Sequence, residues 1–152
     1  MESSKKQGRY DRIYQQIKAL LTSTRDQTAR MATINAVLHH KIEYFFWTGF
    51  YLLRNGELIV GPYQGPVACQ VLKKDTGVCW AAINQKTSIV VPDVEKFPGH
   101  IACDSRSKSE IAIPLINKEG AIYGVLDIDS KELSSFDEVD KTHLEKIAKL
   151  LD

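Results

Sequence analysis

Residues 47–62 read WTGFYLLRNGELIVGP and set the architecture of the chain. The run from Trp47 to Leu53 is rich in aromatic and branched residues, the composition of a β-strand. Asn55-Gly56 follows, a dipeptide typical of a two-residue hairpin turn, and Glu57 to Val60 predicts the returning strand. Gly61-Pro62 ends that strand. A strand that returns at once pairs antiparallel, so the sequence predicts an antiparallel hairpin here.

Periodic apolar residues predict helices on both sides of this hairpin. They recur three or four apart from Tyr10 to Leu21, from Met31 to Ile42 and from Phe136 to Leu151. Ser135, with Glu138 three residues further on, is typical of a capping box and predicts where the last helix begins.

Shorter elements fill the middle of the chain. Strands are predicted at Cys69–Lys73, Ser88–Val91, Glu110–Ile116 and Ala121–Asp129, and a short helix at Gly77–Gln85. This order predicts an α+β fold whose sheet is largely antiparallel. Helices from the two chain ends would pack on one face of the sheet, and irregular segments on the other face could enclose a ligand.

Length and charge narrow the classes of function. The chain has 152 residues, 43% of them hydrophobic, which predicts a single domain over 1–152 with a frayed polar terminus at 1–8. Lysine and arginine number 20 against 19 acidic residues. A general attraction to nucleic acid or to anionic lipid is therefore not expected. No apolar run approaches the roughly 20 residues of a membrane span, and no signal peptide is recognisable, so we expect a cytoplasmic protein.

The segment Phe97–Asp104 carries the most unusual chemistry. Pro98 stiffens the backbone and Gly99 frees it, which favours a fixed bend in a long loop. Cys103 follows among polar neighbours, where a thiol is more accessible than in an apolar run. Its thiolate would need a nearby cation, helix N-terminus or hydrogen-bond donor. A loop cysteine without a chemical role explains the same pattern equally well.

The other two cysteines leave several hypotheses open. Either Cys69, which borders the Gly65-Pro66 turn, or Cys79 could pair with Cys103. Cys79 also lies in an apolar pattern typical of a buried small residue. An odd cysteine count argues against a structural disulfide framework. A zinc site built from His100 and the three cysteines is a weaker hypothesis, because the spacing matches no common zinc module.

Five residues on predicted strands could line a pocket. Asp127 and Asp129 alternate along one strand and therefore share a face, and Glu110 opens the neighbouring strand. Three carboxylates together would favour an ammonium group and would raise at least one pKa, which would leave a proton donor near neutral pH. Trp47 and Tyr51 also share a strand face. Ordinary core packing and an exposed polar face remain the alternative explanations.

Taken together, these segments resemble the free methionine-(R)-sulfoxide reductases, enzymes built on a GAF domain. The resembling stretches are WTGFY at 47–51, GPYQG at 61–65 with Ala68-Cys69, Gly77-Val78-Cys79, residues 97–114 and residues 125–130. The resemblance spans almost the whole chain. It implies a six-stranded antiparallel sheet with the terminal helices on one face and a ligand pocket on the other, and it suggests a homodimer.

The resemblance also implies roles for individual residues. Cys103 matches the catalytic thiol, Cys69 the main resolving thiol, and Cys79 a third cysteine that acts as an alternative or relay. Three carboxyl residues match those that hold the substrate and assist protonation: Glu110, Asp127 and Asp129. Trp47 and Tyr51 match the aromatic residues around the substrate methyl group. The family commonly has a small residue after Cys79, where this chain has Trp80.

The implied reaction is reduction of free methionine-(R)-S-oxide by thiol chemistry. Cys103 attacks sulfur and becomes a sulfenic acid, a second thiol condenses with it to a disulfide, and thioredoxin restores the thiols. No metal or organic cofactor is implied. Two other classes of protein are weighed against the enzyme: a GAF-type sensor that binds a small ligand without turnover, and a zinc-stabilised interaction domain.

Overall fold

A computed structural model describes residues 2–100 and 103–152. Ile101 and Ala102, within the loop segment singled out above, lie outside the described residues. The helices are α1 (Ser3–Leu20), α2 (Gln27–Lys41), α3 (Gly77–Gln85) and α4 (Glu138–Lys149), with a short 3₁₀ helix at Val94–Lys96. The strands are β1 (Trp47–Arg54), β2 (Glu57–Gln64), β3 (Val71–Leu72), β4 (Ile89–Val91), β5 (Ser109–Ile116) and β6 (Ile122–Ser130). No helix in the described ranges is long and apolar enough to cross a membrane.

The six strands form one antiparallel sheet in the order β3-β2-β1-β6-β5-β4. The predicted hairpin is confirmed: β1 and β2 pair across Asn55 and Gly56, both of which have positive φ as this turn requires. β1 also pairs with β6, which pairs with β5. The three strands that carry the predicted site residues are therefore neighbours in the centre of the sheet.

Alternation along the strands separates two hydrophobic cores, one on each face of the sheet. Phe50, Ile111 and Leu126 face a core shared with α1, α2 and α4. Tyr51 and Val125, one residue away on the same strands, face a second core shared with α3. The predicted architecture is confirmed, with the terminal helices on one face and the other face left to α3 and to loops.

The N-terminus differs from the prediction. Residues 1–8 were expected to fray, but α1 begins at Ser3. Lys6 is only 4% exposed, and its Nζ lies 2.6 Å from Asp140 Oδ2 and donates to the Ser135 carbonyl oxygen at 2.9 Å. A lysine in a polar run looks solvated in the sequence, but here it forms a buried ion pair between α1 and α4.

Two boundaries also differ from the sequence-based expectation. β2 continues through Pro62 to Gln64, because β3 pairs only with Leu58 and Ile59 and leaves the rest of that edge of β2 without a partner strand among the described residues. The capping box of α4 is formed by Asp137 and Asp140, not by Ser135 and Glu138. The Ser135 hydroxyl instead forms a hydrogen bond of 2.6 Å with Ser130 Oγ.

Candidate active site

A cavity of about 220 Å³ lies on the α3 face of the sheet. Its floor comes from β1, β5 and β6, and its walls come from the N-terminal turn of α3, from residues 66–73, from His100 and from residues 103–107. The structure brings all the predicted site residues to this cavity: Trp47, Tyr51, Cys69, Cys79, Cys103, Glu110, Asp127 and Asp129. The sequence predicts these residues on separate strands and loops, and the structure places all of them around one cavity.

A disulfide bond joins Cys69 and Cys103 in the cavity wall. The two residues are 34 positions apart in sequence, and their Cα atoms are 5.6 Å apart, a normal separation for a disulfide. Cys103 is exposed and Cys69 is half-buried. The bond is therefore open to an external thiol. Because both sulfurs are used, these cysteines do not form the zinc site considered above.

The segment after Cys103 is anchored by charge and by an aromatic ring. Asp104 accepts hydrogen bonds from the Arg106 backbone N–H and guanidinium at 2.7–3.0 Å, which lowers the pKa of Asp104 to about 2. The guanidinium carbon of Arg106 lies 4.9 Å from the centre of the Phe46 ring, and Lys131 Nζ lies 5.3 Å from the same ring. These contacts connect the Cys103 loop to the start of β1.

Two side chains from β1 hold the loop that carries Cys69. Tyr51 donates its hydroxyl to the Cys69 carbonyl oxygen at 2.8 Å, and Trp47 donates Nε1–H to the Pro66 carbonyl oxygen at 3.1 Å. Gly65 makes this close approach possible, because its φ is +125° and an added Cβ would lie 2.8 Å from the Phe46 carbonyl oxygen. The loop geometry is therefore fixed from the sheet beneath it.

The aromatic residues form one stacked wall of the cavity. The Trp47 ring centre lies 5.8 Å from that of Tyr51 and 5.2 Å from that of Tyr63, with nearly parallel planes. Strand alternation does not predict a role for Tyr63, because the predicted strand ends at Pro62, whereas β2 continues to Gln64. This wall presents a flat apolar surface beside the carboxyl groups.

The three carboxyl groups form a cluster in which Glu110 and Asp127 are 7% and 4% exposed and Asp129 is half-buried. Glu110 lies directly opposite Asp129 in the β5–β6 register, and carboxyl oxygens of Glu110 and Asp127 lie within 4.8 Å of each other. Among the described residues, none of the three carboxyls has a cationic side chain within salt-bridge distance. When these carboxyl groups are ionised, no cationic side chain of the described residues neutralises their negative charge at close range.

Burial and mutual repulsion set the protonation of this cluster. Burial, and then the charges of Asp127 and Asp129, raise the pKa of Glu110 well above its ordinary value. Burial also raises the pKa of each aspartate. The raised pKa favours the protonated form of Glu110, which is the form that can give a proton to a bound group.

Cys79 lies beneath the cavity on α3 and is the cysteine outside the disulfide. Burial, followed by the nearby charge of Asp127, raises the pKa of its thiol, whose sulfur lies within 4.8 Å of an Asp127 carboxyl oxygen. Among the described residues, Cys79, Glu110 and Asp127 are the group whose ligand atoms lie close enough, within 4.8 Å, to hold a metal ion. This set differs from the zinc ligands that the sequence suggested.

This chain is similar to a known domain family and to several known proteins. A family model described as GAF domain matches residues 32–151. GAF domain-containing protein A of Dictyostelium discoideum is 51% identical over 148 residues, which cover 97% of this chain and 92% of that protein. The free methionine-R-sulfoxide reductase of Saccharomyces cerevisiae is 51% identical over 108 residues, which cover 69% of this chain and 60% of the yeast protein.

A solved structure extends the similarity to three dimensions. Free methionine-R-sulfoxide reductase from Neisseria meningitidis, solved in complex with its substrate, matches with a TM-score of 0.89 and 41% identity, covering 93% of this chain and 85% of that chain. The fold and the cavity define a GAF domain. The chain belongs to the free methionine-R-sulfoxide reductase family of GAF-domain proteins. The resemblance indicated by the sequence is confirmed.

Proposed function

We propose that this protein reduces free methionine-R-sulfoxide to methionine by thiol chemistry. The observation that carries the proposal is the Cys69–Cys103 disulfide in the wall of a cavity whose floor holds the buried carboxyl groups of Glu110 and Asp127. Names and substrates of the relatives support it, because both the yeast and the Neisseria proteins are called free methionine-R-sulfoxide reductases.

The reaction balances in three steps. The Cys103 thiolate attacks the sulfoxide sulfur while a proton is added to the sulfoxide oxygen. This attack forms an S–S bond, and the S–O bond breaks with release of water after a second protonation. Water then attacks the Cys103 sulfur, the S–S bond breaks, methionine leaves with the electron pair, and Cys103 becomes a sulfenic acid as a proton is released. The Cys69 thiol then attacks the sulfenic sulfur, which releases water and forms the disulfide. Finally, an external dithiol reduces this disulfide by exchange and is itself oxidised to a disulfide.

The carboxyl cluster would serve both the proton and the substrate. Glu110 is the proton donor in this proposal, since it lines the cavity and its pKa is raised by burial and by the neighbouring aspartates. Asp127 and Asp129 would hold the ammonium group, which supplies the cation that the cluster lacks. A methionine within a polypeptide has a neutral amide nitrogen instead, so the site would select the free amino acid. Trp47 and Tyr51 would pack against the methyl group.

Thioredoxin is the reductant in this proposal, because the disulfide is accessible and a dithiol protein reduces such bonds by exchange. Cys79 would act only as an auxiliary thiol, since it is buried and its pKa is raised. We further propose that residues 1–152 act as a single GAF domain in the cytoplasm and that the protein assembles as a homodimer.

Consumption of the two epimers of free methionine sulfoxide tests the proposal. With dithiothreitol as reductant, the R epimer should disappear while the S epimer persists, and Cys103→Ser should consume neither. If neither epimer is consumed by the unmodified protein but a small molecule still stabilises it against heat, the ligand-binding sensor would replace the enzyme.

A further inference from the structure

A free amino acid presents a carboxylate as well as an ammonium group, and the cavity must accommodate both. The acidic cluster suits the ammonium but repels the carboxylate. Hydrogen-bond donors for the carboxylate must therefore come from elsewhere in the cavity wall.

Three of the donors that line the cavity already have acceptors within the protein. Trp47 donates to Pro66, Tyr51 donates to Cys69, and the Thr76 hydroxyl donates to the Lys74 carbonyl oxygen at 3.1 Å. Lys73 also lines the cavity, but its side chain is exposed and water can solvate it. Ser107, another lining residue, is half-buried.

His100 differs from these donors. It lines the cavity, and its Nε2 atom is buried with no hydrogen-bond partner among residues 2–100 and 103–152. A buried ring nitrogen without a partner is unfavourable unless a ligand completes its hydrogen bond. Burial also lowers the pKa of the ring, and a neutral imidazole keeps one N–H to donate.

The backbone fixes where His100 stands. Its N–H donates to the Phe97 carbonyl oxygen at 3.2 Å, and Gly99 within this turn has a φ of +74°. A Cβ added to Gly99 would lie 3.6 Å from Thr76 Cγ2 and 3.9 Å from the Gly77 nitrogen, so the turn packs against the start of α3. His100 therefore lies on the α3 side of the cavity, whereas the carboxyl cluster lies on β5 and β6. A zwitterion can place its carboxylate toward the first side and its ammonium group toward the second.

We propose that His100 Nε2–H donates a hydrogen bond to the carboxylate of the bound amino acid and makes the site prefer a free carboxylate to an amide. This inference rests on the proposed function and adds the carboxylate-binding residue to it. A hydrogen bond to a charged acceptor is stronger than one to a neutral carbonyl, so His100 discriminates between the two.

The test compares methionine sulfoxide with its carboxamide as substrates at about pH 6.5, where both amino groups are largely protonated. The wild-type kcat/KM should favour the acid roughly tenfold. His100→Ala should bring that ratio close to one by raising KM for the acid. His100→Gln should restore much of it, since its amide nitrogen reaches the position of Nε2. The matched control is His40→Ala, an exposed histidine on α2.

Calorimetric binding of methionine and methioninamide provides the same ratio without turnover. If the sulfoxide is not reduced but His100→Ala still abolishes the preference for methionine over methioninamide, the reductase proposal fails and the inference stands. An equal loss for acid and amide in His100→Ala would overturn the inference while leaving the reductase intact. An acid-to-amide ratio that is the same in His100→Ala and in the wild type would also overturn the inference. Binding of neither methionine nor methioninamide to the wild type would overturn it as well.

Discussion

Glu110 on β5 lies directly opposite Asp129 on β6, and its carboxyl group lies within 4.8 Å of that of Asp127. No cationic side chain among the described residues neutralises this group. Such an arrangement opposes stability, because burial and like charge favour protonation of a carboxyl that is ionised in the unfolded chain. The cluster is expected where function requires a proton and a place for a positively charged ligand.

Glu110→Gln should lower kcat roughly 100-fold or more, because the amide cannot supply the proton. It should also change how stability depends on pH. The folded state keeps a proton that the unfolded chain loses near the ordinary pKa of 4.5, so wild-type stability should fall as pH rises from there toward the raised folded pKa. The variant should show a shallower fall. Denaturant unfolding from about pH 5 to pH 8 measures both slopes. Parallel slopes would argue against a protonated Glu110.

The Cys69→Ser variant should respond differently to the two reductants: its turnover should be lost with thioredoxin and largely kept with dithiothreitol. Without Cys69 the sulfenic acid on Cys103 has lost its disulfide partner, so thioredoxin-driven turnover should fall to a small fraction of the wild-type rate. Dithiothreitol attacks the sulfenic acid directly and should preserve much of the activity. Initial rates with each reductant provide the measurement. Equal rates with thioredoxin in wild type and variant would show that Cys69 is not the resolving thiol.

Cys79→Ala should retain most thioredoxin-driven activity, within about threefold, because a buried thiol with a raised pKa is a poor nucleophile at neutral pH. Because its sulfur lies within 4.8 Å of an Asp127 carboxyl oxygen, its loss should act mainly on KM. The double variant Cys69→Ser/Cys79→Ala reveals any relay, since residual thioredoxin turnover in Cys69→Ser would then disappear. A loss of cycling in the single variant as severe as in Cys69→Ser would assign Cys79 the main resolving role.

Lys6→Ala should destabilise the fold by about 3 kcal/mol, because it leaves Asp140 buried without its cation. The hydroxyls of Tyr10 and Tyr44, at 2.7 and 2.6 Å from Asp140, keep the loss from being larger. The neighbouring exposed Lys5→Ala provides the control and should change stability by less than about 0.5 kcal/mol. Urea unfolding measures both. Similar values for the two variants would favour a frayed terminus over the buried ion pair.

The sequence was sufficient for those features that depend on local periodicity. Alternation along β6 correctly placed Asp127 and Asp129 on one face, and Asn55-Gly56 marked the hairpin that makes the sheet antiparallel. The role of Cys103 with Cys69 came from the family resemblance, because two cysteines 34 residues apart show no spacing that fixes their distance.

Features that depend on contacts between residues far apart in the sequence could not be predicted from it. Lys6 reads as a solvated terminal lysine until α4 brings Asp140 beside it, 134 residues away. Phe46 belongs to an aromatic run that suggests only a core, and its contact with Arg106 emerges from the folded loop. Likewise, only the folded cavity shows that His100 Nε2 is buried without a hydrogen-bond partner in the part of the chain that the structure describes.

A single turnover in the absence of any external reductant tests the central claim most directly. Fully reduced protein is mixed with excess free methionine-R-sulfoxide, methionine is quantified, and the disulfide is mapped by peptide mass spectrometry. The account predicts one methionine per chain and a Cys69–Cys103 disulfide, with Cys79 still a free thiol. Methionine formation without a Cys69–Cys103 bond, or no methionine at all, would contradict it.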